Sequence, residues 1–214
     1  MAVDKSLYRQ VMGRFATGVA VLTTNSLAGP VGLTINSFCS VSLDPPLVLV
    51  CVDRKSSTLS SFRESGSFVV NILTDRQEHL SRGFATASKD RYEHFCHASY
   101  WQASTGSPII DDVLAFIDTR IINEYPGGDH VIFLGQVQAL GVSNHMLCDE
   151  KTALNAAGDT SVCGISSVIE DTAAPLTYYR GQYRCLTSDD NQLYVLMRDK
   201  ERRYPANVLG AGVI

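Results

Sequence analysis

The sequence contains no apolar run long enough to cross a membrane. A transmembrane helix needs about 20 consecutive, predominantly apolar residues, whereas the apolar segments of these 214 residues are short, such as LVLVCV (47–52). The first ten residues, MAVDKSLYRQ, also lack the apolar centre of a secretory signal peptide. These absences predict a cytoplasmic protein with no membrane partner.

A large excess of charge of either sign is also missing. The net charge is -4, and charged residues make up 19% of the chain. Such a protein has no general attraction for nucleic acid or for anionic membranes, so we expect no nucleic-acid partner. Any anionic ligand must then be bound by a local group of donors. With 45% hydrophobic residues, the chain has the composition of an ordinary globular domain.

Motifs for metal ions and for a Rossmann unit are absent as well. None of the six cysteines forms a CxxC pair, and the adjacent Cys96 and His97 are poorly placed to share one ion. We therefore expect reduced thiols and no metal site. VLGAG (208–212) begins like a dinucleotide fingerprint, but it lacks the third glycine and the helix that such a site requires. Any nicotinamide cofactor must bind outside a Rossmann unit.

The segments that are present are mostly β-strands. Strands are predicted at residues 19–24, 31–38, 47–52, 67–74, 114–125, 130–142 and 193–197. PGGD (126–129) joins two of them in a β-hairpin. The segment 39–46 is not expected to be a central strand, because Pro45 and Pro46 have no backbone donor. Since the connections are too short for crossover helices, we predict a mainly β, antiparallel barrel, closed or nearly closed, with short peripheral helices.

Three short helices are predicted, over residues 6–16, 59–65 and 75–85. The first carries apolar residues four apart and is expected to end at Gly18. The third is expected to begin with Asp75 as its N-cap and Glu78 completing a capping box. Residues 86–113 look irregular, and long ordered loops are often functional.

The stretch VDRKSST (52–58) places two cations beside three hydroxyl residues. Small polar residues before an apolar-periodic segment are typical of a helix start, where unpaired backbone N–H groups point outward. Such an end attracts anions, and Arg54 and Lys55 would add positive charge. The segment indicates either a phosphate site or an ordinary helix start behind a solvated basic turn, because serine and threonine precede many helices whatever their function.

Several segments, taken in order, carry a family resemblance. They are MGRFATGVAVLTT (12–24), GLTINSFCSVSLDPPLVLVCVDRKSST (32–58), FVVNIL (68–73), QEHLSRGFA (77–85) and YPGGDHVIFLGQV (125–137). Together they resemble the flavin reductase-like family of FMN-binding split barrels, which includes the reductase components of two-component flavin-dependent monooxygenases. The resemblance covers about residues 7–143, with a shorter match at PLTYYRGQY (175–183). It implies an antiparallel split-barrel fold that binds FMN or FAD.

The resemblance also implies a flavin site. It assigns polar residues near the second predicted strand to the ring edge and VDRKSST to the phosphate and ribityl chain, with Cys51 and Val52 contributing backbone. The residues so assigned are Thr34, Asn36, Ser37, Ser40, Cys51, Val52, Asp53, Lys55, Ser56, Ser57, Thr58, Phe84, Lys89 and Arg91. Without the family, residues 34–40 would equally fit a polar strand end, and residues 89–91 a solvated turn.

A nicotinamide site is implied at two places. GDH recurs in the family with its histidine near the nicotinamide, so the resemblance makes His130 the catalytic residue that holds NADH or NADPH against the flavin. The implied nicotinamide-binding residues are Gly128, Asp129, His130, Tyr178, Tyr179 and Arg180. Taken alone, a histidine that opens a strand is more often a structural residue.

The resemblance therefore implies an NAD(P)H:flavin oxidoreductase that supplies reduced flavin to a partner monooxygenase. A flavin-binding module without catalysis, acting in electron transfer or sensing, is the alternative, and a pyridoxamine-phosphate oxidase-like enzyme fits the GDH stretch less well. Relatives are homodimers, and the apolar strand HVIFLGQV (130–137) suits burial on both faces. We expect a split barrel over 1–143, an excursion over 144–174, and an element over 175–214 that completes the same domain and adds a tail.

Overall fold

The computed structural model describes residues 3–86, 95, 98–102, 104–142, 145–147, 173–189 and 192–196. Within these ranges the protein is mainly β, with short helices beside antiparallel sheets, which confirms the predicted fold class. The helices are α1 Lys5–Met12, α2 Leu59–Ser65 and α3 Glu78–Ala85, and a 3-10 turn, Asp75–Gln77, precedes α3. None of these helices is long and apolar enough to cross a membrane.

The strands follow one another along the chain with short connections. They are β1 Thr17–Gly18, β2 Ala20–Ser26, β3 Gly29–Ile35, β4 Phe38–Leu43, β5 Pro46–Asp53, β6 Ser67–Ile72, β7 Tyr100–Gln102, β8 Pro108–Ile110, β9 Ala115–Gly127, β10 His130–Val142, β11 His145–Leu147, β12 Leu176–Tyr179, β13 Gln182–Asp189 and β14 Gln192–Leu196. β14 confirms the strand predicted at 193–197. β7 and β8 form a small hairpin inside the segment that was expected to be irregular.

The larger sheet has the order β3-β2-β6-β9-β10-β5-β4, with β11 beside β10, and a second sheet has the order β1-β12-β13-β14. β4 lies at an edge of the larger sheet, as expected of a segment that runs into two prolines. β9 and β10 form the predicted hairpin. Gly128 in its turn has a φ of +73°, a left-handed conformation that favours glycine.

Two helix ends differ from the prediction. α1 ends at Gly13, whose N–H donates to the carbonyl of Arg9 at 2.9 Å, and Gly18 instead pairs with β12. Thr74, not Asp75, precedes the 3-10 turn as its N-cap, and the side chain of Gln77 accepts from the Thr74 N–H at 3.1 Å. In both cases two nearby residues of the sequence are suited to end or begin a helix, and the local sequence does not decide which of them does so.

The central strands β5 and β10 have two different faces. Their inward side chains are buried in a cluster with Phe62 of α2 and Phe68 of β6; these are Val48, Val50, Val52, Val131 and Phe133. Their outward side chains are only half-buried, although they are apolar; these are Leu49, Cys51, Ile132 and Leu134. The outward face is therefore open to a further layer of structure.

Part of the predicted organisation lies outside the described residues. Of the excursion expected at 144–174, the structure describes β11 and residues 173–174. Of the C-terminal element expected at 175–214, it describes residues 175–189 and 192–196, which contain β12, β13 and β14. A second core cluster, which includes Phe84, Phe95, Phe116 and Leu176, packs this C-terminal element against the larger sheet.

Candidate functional site

The turn after β5 and the tip of the β9–β10 hairpin lie side by side. In the antiparallel pairing of β5 with β10, Asp53 is directly opposite His130. The backbone N–H of Arg54 donates to the carbonyl oxygen of Asp129 at 2.9 Å, and its Nε donates to the carbonyl of His130 at 3.4 Å. The two motifs that the sequence offered for phosphate and for nicotinamide are thus neighbours.

The turn that follows β5 is held by its own hydrogen bonds. Asp53 accepts from the Lys55 N–H at 2.8 Å through its carboxylate, and from the Ser56 N–H at 2.9 Å through its carbonyl. Lys55 and Ser57 have exposed side chains, as does Arg54. The turn therefore holds its backbone in place by internal hydrogen bonds, and it exposes the side chains of Arg54, Lys55 and Ser57 to solvent.

Thr58 lies at the start of α2. It is the N-cap of α2, but it is only 2% exposed and its side chain makes no capping bond. Its hydroxyl lies 2.8 Å from that of Ser56, and the Ser56 hydroxyl also accepts from the Thr58 N–H at 3.3 Å. The Ser56 and Thr58 hydroxyls thus stabilise the turn, and the outward-facing hydroxyl is that of Ser57.

Of the four polar side chains at the junction of β3 and β4, two form hydrogen bonds within the protein and two are exposed to solvent. The Ser37 hydroxyl donates to the Cys51 carbonyl at 2.8 Å, and the Thr34 hydroxyl donates to the Ser81 carbonyl at 2.6 Å. Asn36 and Ser40 are exposed. The structure therefore joins this junction to the end of β5, with Asn36 and Ser40 available to a ligand.

His130 is oriented by its neighbour in the hairpin tip. Its Nδ1 lies 2.8 Å from a carboxylate oxygen of Asp129, and the hydrogen bond with His130 lowers the pKa of Asp129. When the neutral ring carries its proton on Nδ1, this N–H group donates a hydrogen bond to the carboxylate, and Nε2 is left as an acceptor. Gly127 allows close packing here, since a Cβ at this position would lie 3.0 Å from Cγ1 of Ile132.

A cavity of about 540 Å³ opens beside His130. Its sheet side is formed by Cys51 and Ile132 together with the hairpin tip, and burial raises the pKa of the Cys51 thiol. Its other side is formed by the start of α1, including Lys5, Tyr8 and Arg9. Sequence reasoning missed these α1 residues; the only local signal is that the two cations are four residues apart and so share a helix face.

The remaining predicted residues lie elsewhere in the chain. Phe84 is buried in the core, where its ring packs edge-to-face on Phe95 with centroids 5.1 Å apart. Lys89 and Arg91 lie outside the described residues.

The second predicted nicotinamide element is the tip of the β12–β13 hairpin. The Arg180 N–H donates to the carbonyl of Gly13 at 2.9 Å, at the opposite end of α1 from the cavity beside His130. Arg180 also lies over the ring of Tyr179, with its Cζ 5.2 Å from the ring centroid, and Tyr178 lines a separate cavity next to α3. Within one chain, the two predicted nicotinamide elements do not line the same cavity.

Among the residues that the structure describes, no group of three or more histidine, cysteine or acidic side chains is arranged to hold a metal ion. The donors gathered at the β5 turn are cations, hydroxyls and backbone amides. Such a set suits an anionic or amide-bearing organic ligand.

Comparison with known proteins places this geometry in context. Residues 12–187 match the model of the flavin reductase-like domain. The reductase subunit HsaB of a flavin-dependent monooxygenase from Mycobacterium tuberculosis is 38% identical over 138 residues, which cover 64% of this chain and 72% of the relative. HsaB from Rhodococcus jostii is 32% identical over 188 residues, covering 88% of this chain and 81% of the relative.

Solved structures agree with these matches. Nitrilotriacetate monooxygenase component B from Mycobacterium thermoresistibile is 33% identical, with a TM-score of 0.71 over 93% of this chain and 96% of the other. The NADH:FAD oxidoreductase SgcE6 of Streptomyces globisporus, solved with NAD and FAD fragments, is 29% identical, with a TM-score of 0.70 over 89% of this chain and 99% of the other.

Proposed function

This chain belongs to the flavin reductase-like family and is a flavin-reducing oxidoreductase, and we propose that hydride passes from a reduced nicotinamide to a flavin beside His130. The observation that carries this proposal is the junction between the β5 turn and the hairpin tip, where Arg54 donates to the Asp129 carbonyl and Asp53 pairs with His130. This junction brings a phosphate-type donor set and an oriented histidine to one place.

The donor set at the junction fits a phosphorylated flavin. The phosphate would be held by Lys55, Ser57 and backbone amides of the turn, because charge-assisted hydrogen bonds favour an anion there. The ring edge would be addressed by Asn36 and Ser40, with backbone from Cys51 and Val52, since amide and hydroxyl groups match its carbonyl and nitrogen atoms. We propose FMN or FAD as the flavin, which supplies the redox chemistry when bound.

The protein's own contribution is orientation. His130, fixed by Asp129, would donate or accept a hydrogen bond at the carboxamide of NADH or NADPH and so hold the ring near the flavin. Hydride transfer requires the reacting atoms to be about 3–3.5 Å apart, and one positioned hydrogen bond restricts the rotation that would break this geometry. No proton needs to be moved at His130 during the transfer itself.

The other predicted contacts have different support. Lys89 and Arg91 are proposed as phosphate contacts on the family resemblance alone. Phe84 would act indirectly, because its buried ring packs behind Gly32 of β3 and thereby sets the strand that leads to Asn36. The tip of the β12–β13 hairpin lies beyond the end of α1. Its residues Tyr178, Tyr179 and Arg180 would contact the nicotinamide cofactor if that cofactor extends along α1, or if the hairpin comes from a second chain.

We further propose a homodimer. Among the residues that the structure describes, two apolar surfaces stay partly open. One is the outward face of β5 and β10 at the half-buried Leu49 and Leu134, outside the cavity beside His130. The other is the face of α1 that carries Leu7 and Val11, which are 56% and 60% exposed. Single exposed apolar residues are common, but contiguous apolar surfaces mark interaction sites. A second copy would cover both, which fits the apolar strand HVIFLGQV.

The acceptor of the reduced flavin is proposed to be a flavin-dependent monooxygenase, because the two HsaB relatives are named as reductase subunits of such enzymes. A cytoplasmic location is proposed because Cys39 and Cys51 are free thiols, which is typical of a reducing compartment.

The function is tested by steady-state oxidation of NADH and of NADPH with FMN, FAD or riboflavin as acceptor, followed at the nicotinamide absorbance band. We expect oxidation that depends on both protein and flavin. Retention of flavin without consumption of either nicotinamide would instead support a flavin-binding module without catalysis.

A further inference from the structure

One face of α1 lies opposite the hairpin tip across the cavity beside His130. Lys5, Tyr8 and Arg9 are spaced i, i+3 and i+4, so they lie on one helix face, and all three line the cavity together with Asp129 and His130. By the same geometry, Leu7 and Val11 point to the other side of the helix. The two faces of α1 can therefore serve different partners.

This cavity-lining face of α1 carries two cations, Lys5 and Arg9. Among the residues that the structure describes, neither Lys5 nor Arg9 forms a salt bridge. The hydrogen bond with His130 is the main cause of the lowered pKa of Asp129, and Lys5 is the smallest of the contributors to it. Asp129 itself is already bonded to His130. Two cations thus remain available to an external anion.

We infer that Lys5 and Arg9 bind the phosphate groups of the pyridine dinucleotide whose nicotinamide lies at His130. In NADH and NADPH a single sugar separates the nicotinamide from the pyrophosphate, which explains why two cations lie near the histidine. A ring held at the hairpin tip would place that anion in the adjoining part of the cavity. This inference rests on the proposed function, and it makes α1 a determinant of affinity for the nicotinamide cofactor rather than for the flavin.

The flavin offers the same phosphate chemistry, so the experiment must separate the two sources. We would use riboflavin, which has no phosphate, as the acceptor. NADH would then be compared with reduced nicotinamide riboside, a donor that has no phosphate. The variants are Lys5→Ala, Arg9→Ala and the double variant. Gln10→Ala on another face of α1 and Arg76→Ala, an exposed cation outside this cavity, are the matched controls.

We expect each single variant to raise KM for NADH about threefold to tenfold, and the double variant more, because exposed charge-assisted contacts are of this strength. Rising salt should raise KM for NADH in the wild type and have less effect in the double variant. Rates with reduced nicotinamide riboside, and with both controls, should be unchanged.

Equal losses with NADH and with the riboside would overturn the inference, because they would show that α1 only supports the fold. Unchanged KM for NADH would overturn it too. With FMN as the acceptor in place of riboflavin, a larger rise in KM for FMN than for NADH would assign the cations to the flavin phosphate and would also contradict the inference. In each of these cases a working wild type would leave the proposed flavin reductase function standing, whereas a wild type inactive with every donor would refute that function itself.

Discussion

The N–H of Arg54 donates to the carbonyl oxygen of Asp129 at 2.9 Å, which ties the turn after β5 to the tip of the β9–β10 hairpin. These residues belong to two motifs that are far apart in the sequence. Their contact means that a ligand bound at one turn lies next to the other.

Replacing His130 with alanine should impair hydride transfer and leave flavin affinity largely intact, because its ring faces the cavity rather than the proposed phosphate turn. We expect the rate of flavin reduction to fall about tenfold or more, since one positioned contact in a transfer step is worth that much. Stopped-flow reduction and a flavin fluorescence titration measure the two quantities. Equal losses in both would mean that the role assigned to His130 is wrong.

Asp129 should act through His130. Asp129→Ala removes the carboxylate that holds Nδ1, so we expect kcat/KM for NADH to fall about threefold to tenfold, with partial rescue in Asp129→Asn. Because the hydrogen bond with His130 lowers the pKa of Asp129, this bond to the ionised carboxylate is fully present above the ordinary carboxyl pKa and is lost as pH falls through the lowered one. The wild-type advantage over Asp129→Ala should therefore disappear at acid pH. An advantage that is constant with pH would argue against the pairing.

The turn after β5 should discriminate FMN from riboflavin. Lys55→Ala combined with Ser57→Ala removes an exposed cation and an exposed hydroxyl, and we expect FMN to bind roughly tenfold more weakly, as charge-assisted hydrogen bonds are worth about 1.5–3 kcal/mol. Riboflavin affinity should not change. Ser60→Ala, an exposed serine on the following helix, serves as the control. The same loss for FMN and riboflavin would exclude a phosphate contact at this turn.

Asp118 should make stability depend on pH. This fully buried carboxylate accepts from the Thr105 N–H at 2.9 Å and from the Thr105 hydroxyl, yet burial raises its pKa above the ordinary value of 3.8. The folded state therefore favours the protonated acid, and stability falls as pH rises from the ordinary value through the raised one. Asp118→Asn can still accept from the Thr105 N–H through its amide oxygen and can donate its amide N–H to the Thr105 hydroxyl oxygen. It should remove this slope, which urea unfolding at several pH values measures. Glu64→Gln, an exposed position, should not; an unchanged slope in Asp118→Asn would contradict the assignment.

The proposed dimer should depend on the apolar face of α1. Leu7→Asp together with Val11→Asp places two charges on that face, so we expect dissociation to monomers in sedimentation velocity, because burying unpaired charge is costly. Ser6→Asp, which adds a charge to the same helix at an exposed position neither three nor four residues from Leu7 or Val11, should leave the dimer intact. A wild type that sediments as a monomer would refute the dimer, and a double variant that remains dimeric would place the interface elsewhere.

Local signals in the sequence were sufficient for the β9–β10 hairpin, because PGGD has the turn chemistry that joins two apolar strands. The two prolines correctly argued against a central strand at residues 39–46. That this segment forms the edge strand β4, beginning at Phe38, was not predicted. The choice between Thr74 and Asp75 as the cap did not follow from local sequence either, because both residues are good caps and long-range packing decides between them. Gly13 and Gly18 posed the same ambiguity for the end of α1.

The candidate site was predictable only in part for a similar reason. VDRKSST and GDH were each visible as motifs, but their contact arises from the register between β5 and β10, which no local pattern specifies. The burial of Thr58 and the proximity of Lys5 to Asp129 also depend on tertiary packing. Sequence therefore identified the residue types of the site better than it identified which of their side chains are open to a ligand.

The central claim is that this junction brings a reduced nicotinamide and a flavin together for direct hydride transfer. It is tested most directly by mixing the protein and oxidised flavin anaerobically with NADH, and with NADH deuterated at the transferred position, in a stopped-flow instrument. The account predicts flavin bleaching that needs the protein, is slower with the deuterated donor, and is strongly reduced in His130→Ala. Absence of bleaching with NADH and NADPH alike, for FMN and FAD, would contradict it.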